Sequence, residues 1–201
     1  MYVSDDRKFA YIHIPKTGGT AIRKGLLDDT EYRRVGDKHG GVDQLPAHCD
    51  EKYFIFAMVR NPYQRLVSQF RFRTIRDRHK GLFAERYPTL TDFLGSEVIR
   101  TKTRPGKHPI SQTDLIDDRV LWFQFERFDT AVQSMCGLLG MYNRKIERDE
   151  RTNSFGSYIW TDYMTERALE IINDEARADF DLFGYRVLTW DQVQGHPETL
   201  G

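Results

Sequence analysis

The stretch His13-Ile14-Pro15-Lys16-Thr17-Gly18-Gly19-Thr20 stands directly behind a short apolar run, Phe9-Ala10-Tyr11-Ile12. A strand that feeds a tight glycine turn and then opens a helix builds an anion pocket. The backbone N–H groups of the turn and of the first helical turn converge on one point. Lys16 adds a full positive charge there, Thr17 and Thr20 add hydroxyl donors, and Gly18 and Gly19 let the backbone approach closely. In the Walker A pattern the lysine follows the glycines and is itself followed by Ser or Thr. Here the lysine precedes the glycines, which points away from ordinary ATP and GTP hydrolases.

A second apolar run, Phe54-Ile55-Phe56-Ala57-Met58-Val59, ends in Arg60-Asn61-Pro62. Asn61 suits a helix N-cap and Pro62 the first helical position. Tyr63, Leu66, Val67 and Phe70 then recur at helical spacing. Arg60 is thereby expected at the carboxyl end of a strand, where open α/β sheets bind ligands. Ser68 falls two turns into the following helix. The pair suits a second phosphate on the same ligand, with Arg60 gripping it through a planar fork.

Taken together, the two stretches resemble the sulfotransferase superfamily. The first matches the loop that holds the 5′-phosphosulfate of 3′-phosphoadenosine 5′-phosphosulfate (PAPS). The second, Val59 to Ser68, matches the segment that holds the 3′-phosphate. The wording is most similar to the carbohydrate branch, which includes heparan sulfate 2-O-sulfotransferase and small bacterial relatives. Phe125-Glu126-Arg127-Phe128, Arg151-Thr152-Asn153-Ser154 and Asp181-Leu182-Phe183-Gly184-Tyr185 fit the same branch. The resemblance implies a three-layer α/β fold of P-loop NTPase-like type, with a central, mostly parallel sheet flanked by helices. It implies PAPS as co-substrate, held by Lys16, Thr17, Gly18, Gly19, Thr20, Arg60 and Ser68, with Arg151, Asn153 and Ser154 in a late loop that closes over the nucleotide. It implies an acceptor hydroxyl, on a saccharide by resemblance only.

The pattern of elements agrees independently. Strands are expected over residues 9–14, 53–59 and 120–125, and helices over 20–27, 62–73, 89–100, 128–139 and 164–178. Between them runs an irregular polar stretch over 28–50. Continuous apolar strands alternating with helices argue for a parallel sheet covered on both faces. At 201 residues the chain is expected to be one domain spanning residues 1–201. Its formal net charge of zero gives no general case for nucleic-acid or membrane binding. No apolar run approaches the ~20 residues that span a bilayer, and Asp5, Asp6, Arg7 and Lys8 stand where a signal peptide carries its apolar core. A cytoplasmic protein is the resulting expectation. The sequence leaves its oligomeric state open.

Sulfuryl transfer, by analogy with phosphoryl transfer, needs positioning and charge stabilisation more than covalent chemistry. Lys16 is the natural donor to the bridging oxygen of the departing phosphate. The transferred group carries less charge than a phosphoryl group, so no metal is expected to be required. A hydroxyl acceptor also needs a general base. Of six histidines, His13 lies in the first strand and reads as structural. His39 and His48 both fall in the glycine-containing stretch before the second strand. Lys38-His39 matches the setting and spacing of a histidine in the resembled branch, which makes Lys16 and His39 the expected catalytic pair and His48 the alternative base. His48-Cys49 also invites a metal or nucleophile reading, but no second His/Cys cluster supplies the further ligands that zinc takes, so no metal site is expected. Cys49 and Cys136 form no disulfide framework.

Two basic stretches, residues 71–80 and 100–108, could hold an anionic acceptor, although solvated helix faces and loops more often carry such runs. Two other functions stay open at this point. One is a P-loop-type kinase or nucleotide phosphotransferase, disfavoured by the lysine order and the lack of a magnesium-binding acid. The other is a non-catalytic nucleotide-binding protein on the same fold, disfavoured by Lys16 and His39.

Overall fold

The computed structural model describes residues 1–27, 31–49, 52–76, 81–100, 109–142 and 158–195. The chain divides into two compact units, Met1–Arg60 with Gln112–Thr152, and Asn61–Ser111 with Asn153–Gly201.

The first unit is built on a five-stranded sheet. Its strands are β1 (Tyr2–Ser4), β2 (Phe9–Ile12), β3 (Arg33–Arg34), β4 (Phe54–Val59) and β5 (Leu121–Gln124), arranged β3-β1-β2-β4-β5. The expected strands form its parallel core. Phe9 pairs with Phe54 and Ile12 with Ala57, while Phe56 pairs with Leu121 and Val59 with Gln124. An antiparallel edge, β1 against β2 and β3 against β1, adds two strands that the sequence pattern did not announce. Each is too short to show a period, and β3 is a pair of exposed arginines.

Alternation along the strands sends Phe9, Tyr11, Phe56 and Met58 to one face. There they pack with Ile22 and Leu27 and with Phe128, Val132 and Met135. Those partners come from α1 (Gly19–Ile22), from the wider turn Arg23–Leu27 that continues it, and from α6 (Phe128–Leu138). Ala10, Ile12, Ile55, Ala57 and Val59 on the opposite face are equally buried. Burial on both faces explains why β2 and β4 read as unbroken apolar runs.

The second unit is helical among its described residues. It comprises α2 (Pro62–Arg76), α3 (Leu82–Arg86), α4 (Leu90–Leu94), α5 (Glu97–Arg100), α7 (Glu166–Glu175), α8 (Arg177–Phe183) and α9 (Trp190–Gly195). Asn61 caps α2 as expected, its Oδ1 accepting from Tyr63 N–H at 3.0 Å. The helix expected over 89–100 is two. Thr89 and Asp92 close a capping box at the start of α4, and Gly95 ends it. The helix expected over 164–178 begins at the N-cap Thr165 and breaks at Ala176 before α8. Tyr63, Leu66 and Phe70 of α2 join Phe93, Leu169, Ile172 and Phe180 in one apolar core.

Candidate active site

In a parallel sheet the strand ends mark the place for ligands. Lys16 follows the end of β2, and Arg60 follows the end of its neighbour β4. The turn between β2 and α1 is a strained one. Lys16 lies at φ +68° and Gly18 at φ +82°, both left-handed. A lysine in that region is uncommon and must be held there by its surroundings. One restraint is Thr17, fully buried, whose hydroxyl donates to Ile14 O at 2.9 Å. Gly18 O begins α1 by accepting from Ala21 N–H at 2.9 Å, and the N-cap position, a glycine, gives that helix no side-chain cap.

Both glycines are required by their neighbours. A Cβ on Gly19 would stand 1.9 Å from His13 Nε2, and one on Gly18 2.8 Å from Phe125 Cε2. His13 is thus a packing residue, as expected. Its ring stacks on Tyr11 at 5.7 Å and lies 4.5 Å from the ring of His39.

Arg60 approaches the same turn. Its Nη1 donates to Lys16 O at 3.3 Å, and its guanidinium lies 4.6 Å from the centre of the Phe125 ring. Its backbone is gripped by Gln112: the carboxamide oxygen accepts from Arg60 N–H at 2.9 Å, and the carboxamide nitrogen donates to Arg60 O at 2.8 Å. Burial first, and then the charge of Arg60, pull the Lys16 ammonium down from 10.5 to about 8. Two cations have been assembled where each disfavours the other. Such an arrangement stores an attraction for a multivalent anion.

His39 stands beside this loop. Its Nδ1 lies 2.8 Å from His13 O. A carbonyl can only accept, so Nδ1 carries the proton and the lone pair falls on Nε2. Burial is the main cause that lowers His39 to about 4; the charges of Lys38 and Lys16 add to it, and the bond to His13 opposes it. The imidazole is therefore neutral at pH 7.

His48 goes elsewhere. It belongs to a network at the end of the sheet where β2 and β4 begin, away from the strand ends that carry Lys16 and Arg60. Asp5 Oδ1 accepts from His48 Nε2 at 2.9 Å and from Tyr53 Oη at 2.7 Å, and Asp5 Oδ2 accepts from Arg33 Nε at 3.1 Å. Ligand atoms of Asp5, His48 and Cys49 lie within 4.8 Å of one another. However, the Asp5 carboxylate can only accept, so His48 Nε2 carries its proton and offers no lone pair to a metal ion, and the Arg33 guanidinium, with Nη2 3.3 Å from that nitrogen, places a positive charge there.

Ser68 lies half-buried on α2 in the helical unit. Arg151, Asn153 and Ser154 lie outside the described residues, as does most of the 100–108 stretch. From the other basic stretch, Arg71 lies 3.8 Å from the Tyr158 ring centre, Arg73 5.8 Å from Phe93 and Arg76 5.9 Å from Phe72. These three arginines cover aromatic faces of the helical unit. Sequence reasoning missed Gln112, which carries no motif and precedes an irregular turn.

The sequence profile described as "Sulfotransferase family" matches residues 1–186. The chain belongs to the sulfotransferase family. No curated protein matches it. Among solved structures it is similar to mouse sulfotransferase SULT7A1 complexed with PAP. The TM-score is 0.52 at 15% identity, over 96% of this chain and 88% of that one. The mixed sheet with a parallel core and flanking helices is therefore the P-loop-like fold of the sulfotransferases. As a member of the family, the chain is a PAPS-dependent enzyme of sulfuryl transfer. Among the described residues no helix is long and apolar enough to cross a membrane.

Proposed function

We propose that this sulfotransferase delivers the sulfuryl group to a hydroxyl of a saccharide. Lys16 and His39 act as the catalytic pair, and Arg60 with Ser68 selects the 3′-phosphate of the donor. The observation that carries the site assignment is the meeting of Lys16 and Arg60 at one left-handed turn, each raising the other's need for an anion. That donor set fits PAPS, which supplies the activated sulfuryl group and an adenosine bisphosphate leaving group. The 5′ end belongs to the backbone amides and hydroxyls of Thr17, Gly18, Gly19 and Thr20 together with Lys16. Arg151, Asn153 and Ser154 complete the proposal as further nucleotide-binding residues, on the resemblance of their segment alone.

Lys16 meets the negative charge that grows on the departing phosphate oxygen, so it acts chiefly in the transition state. His39 Nε2 takes the proton of the acceptor hydroxyl as that oxygen bonds to sulfur, and the bond from Nδ1 to His13 O keeps the ring in the tautomer this requires. No metal is needed in this scheme, because the two cations supply the charge. The family match runs through both units, which supports one working domain. Cys49 and Cys136 are buried and form no disulfide, which supports a cytoplasmic setting.

The saccharide rests on the likeness of the loop and arginine segments to the carbohydrate branch. It is tested by incubating the enzyme with radiolabelled PAPS and a panel of oligosaccharides, phenols, amines and sterols. Label transferred to the oligosaccharides is the expected result. Label transferred only to phenols or amines overturns the acceptor assignment and leaves the donor site standing.

A further inference from the structure

We infer that Gln112 is a positioning residue for Arg60, setting the arginine that selects the 3′-phosphate; this rests on the proposed role of Arg60. The chain leaves the sheet unit after Arg60 and re-enters it at Gln112. Across that junction the Gln112 carboxamide bonds both backbone groups of Arg60, donating to its C=O at 2.8 Å and accepting from its N–H at 2.9 Å. A carboxamide is the neutral side-chain group that offers one donor and one acceptor in a single plane, as a neighbouring strand would. β4 ends at Val59, which is paired with Gln124 of β5, so regular pairing stops one residue short of Arg60. Gln112 extends the bonding by that residue. Gln112 is fully buried and Arg60 half-buried, so losing both bonds leaves the Arg60 backbone groups where water reaches them only in part.

The consequence concerns the direction of the guanidinium. Arg60 Nη1 reaches Lys16 O at 3.3 Å, and its ring partner is Phe125 at 4.6 Å. Those side-chain contacts presuppose a fixed Cα–Cβ direction at the last residue of the strand end. With the backbone of Arg60 untethered the guanidinium samples several directions, and a forked contact to phosphate is lost before a point-charge contact is. The effect should therefore fall on the 3′-phosphate and spare the 5′ end of the ligand.

The test is Gln112→Leu, which keeps bulk and loses both bonds, together with Gln112→Glu, which keeps the acceptor and loses the donor. Affinities for adenosine 3′,5′-bisphosphate and 5′-AMP are measured by calorimetry in the full chain. In Gln112→Leu the bisphosphate is expected to weaken about tenfold, as for one lost charge-assisted contact, while 5′-AMP changes less than about twofold, within the scatter of a single neutral contact. Gln112→Glu should lie between Gln112→Leu and wild type. In an Arg60→Ala background Gln112→Leu should cost no further affinity, although it still lowers the melting temperature. That separates positioning from general destabilisation. Equal weakening of both nucleotides, or a full further loss in the Arg60→Ala background, overturns the inference. A wild-type chain with equal affinity for the two nucleotides overturns the role of Arg60 itself, and this inference with it.

Discussion

Binding of the bisphosphate should take up a proton, and Lys16 should be the group that takes it. Burial and the charge of Arg60 hold Lys16 at about 8 instead of 10.5 in the ligand-free chain. A bound phosphate removes the reason for that depression and returns the ammonium toward its ordinary value. The sign follows from the two states. Between the lowered and the restored pKa, free enzyme has lost the proton and bound enzyme holds it, so binding consumes one and weakens as pH rises. At pH 8.5 the free lysine is about three-quarters neutral, so uptake should approach about 0.7 proton per ligand. Affinity should drop about 20-fold between pH 7.5 and 9.5. Phosphate second ionisations lie near pH ~6, well below this range, so the ligand contributes little. Calorimetry at pH 8.5 in buffers of different ionisation enthalpy reads the uptake directly. Lys16→Arg, which stays charged throughout, should bind without uptake. No uptake by the wild type, or equal uptake by Lys16→Arg, would refute the coupled-cation account of the loop.

Arg60→Ala should erase the preference for adenosine 3′,5′-bisphosphate over 5′-AMP, a loss of about 10- to 150-fold for a charge-assisted contact of about 1.5–3 kcal/mol, measured by calorimetry. Gly19→Ala should destabilise the chain by about 1–3 kcal/mol in denaturant titration, as overpacking does, because the new Cβ meets His13 Nε2 at 1.9 Å. His13→Ala in the same chain should recover part of that loss. His39→Ala should lower the transfer rate roughly 10²–10⁴-fold with nucleotide affinity kept. The acid limb of kcat/KM for the donor should fall near pH 4, where His39 titrates in the free chain; a limb unchanged in His39→Ala would assign it to another group.

Legibility followed the physics of each element. β2 and β4 could be read because their residues are apolar without interruption, which is what burial on both faces demands; β5 could be read from its run Leu121-Trp122-Phe123, although Leu121 is exposed and the rest of the strand only half-buried. The loop could be read because its glycines are dictated by close approach, to His13 and to Phe125. By contrast, the two exposed arginines of β3 have no apolar pattern to betray a strand that is fixed by its pairing with Tyr2 and Val3. Ala176 breaks a helix at a residue with high helical propensity, so its break lies beyond local preference. His39 and His48 are alike as letters. What separates them is that one is carried to the carbonyl of His13 beside the loop, and the other to Asp5 at the opposite strand ends. Gln112 acts through two backbone bonds to a residue far away in sequence, and no local pattern marks such a role.

The pH behaviour of His39 has a further step. Burial keeps the free imidazole neutral, which a base requires, yet a pKa near 4 leaves it weak. Part of the depression comes from the positive charges of Lys38 and Lys16. An anion seated against Lys16 offsets that field, so the basicity of His39 should rise once the donor is in place. The free chain governs kcat/KM and the loaded chain governs kcat. The acid limb of kcat should therefore stand above that of kcat/KM, displaced toward the ordinary histidine value of 6.5. Coincident limbs would mean that Lys16 and His39 do not sense the same anion, and the base would have to be sought elsewhere. Separated limbs would mean that one loop does two things: it holds the leaving group, and it makes His39 a competent base only when there is something to transfer.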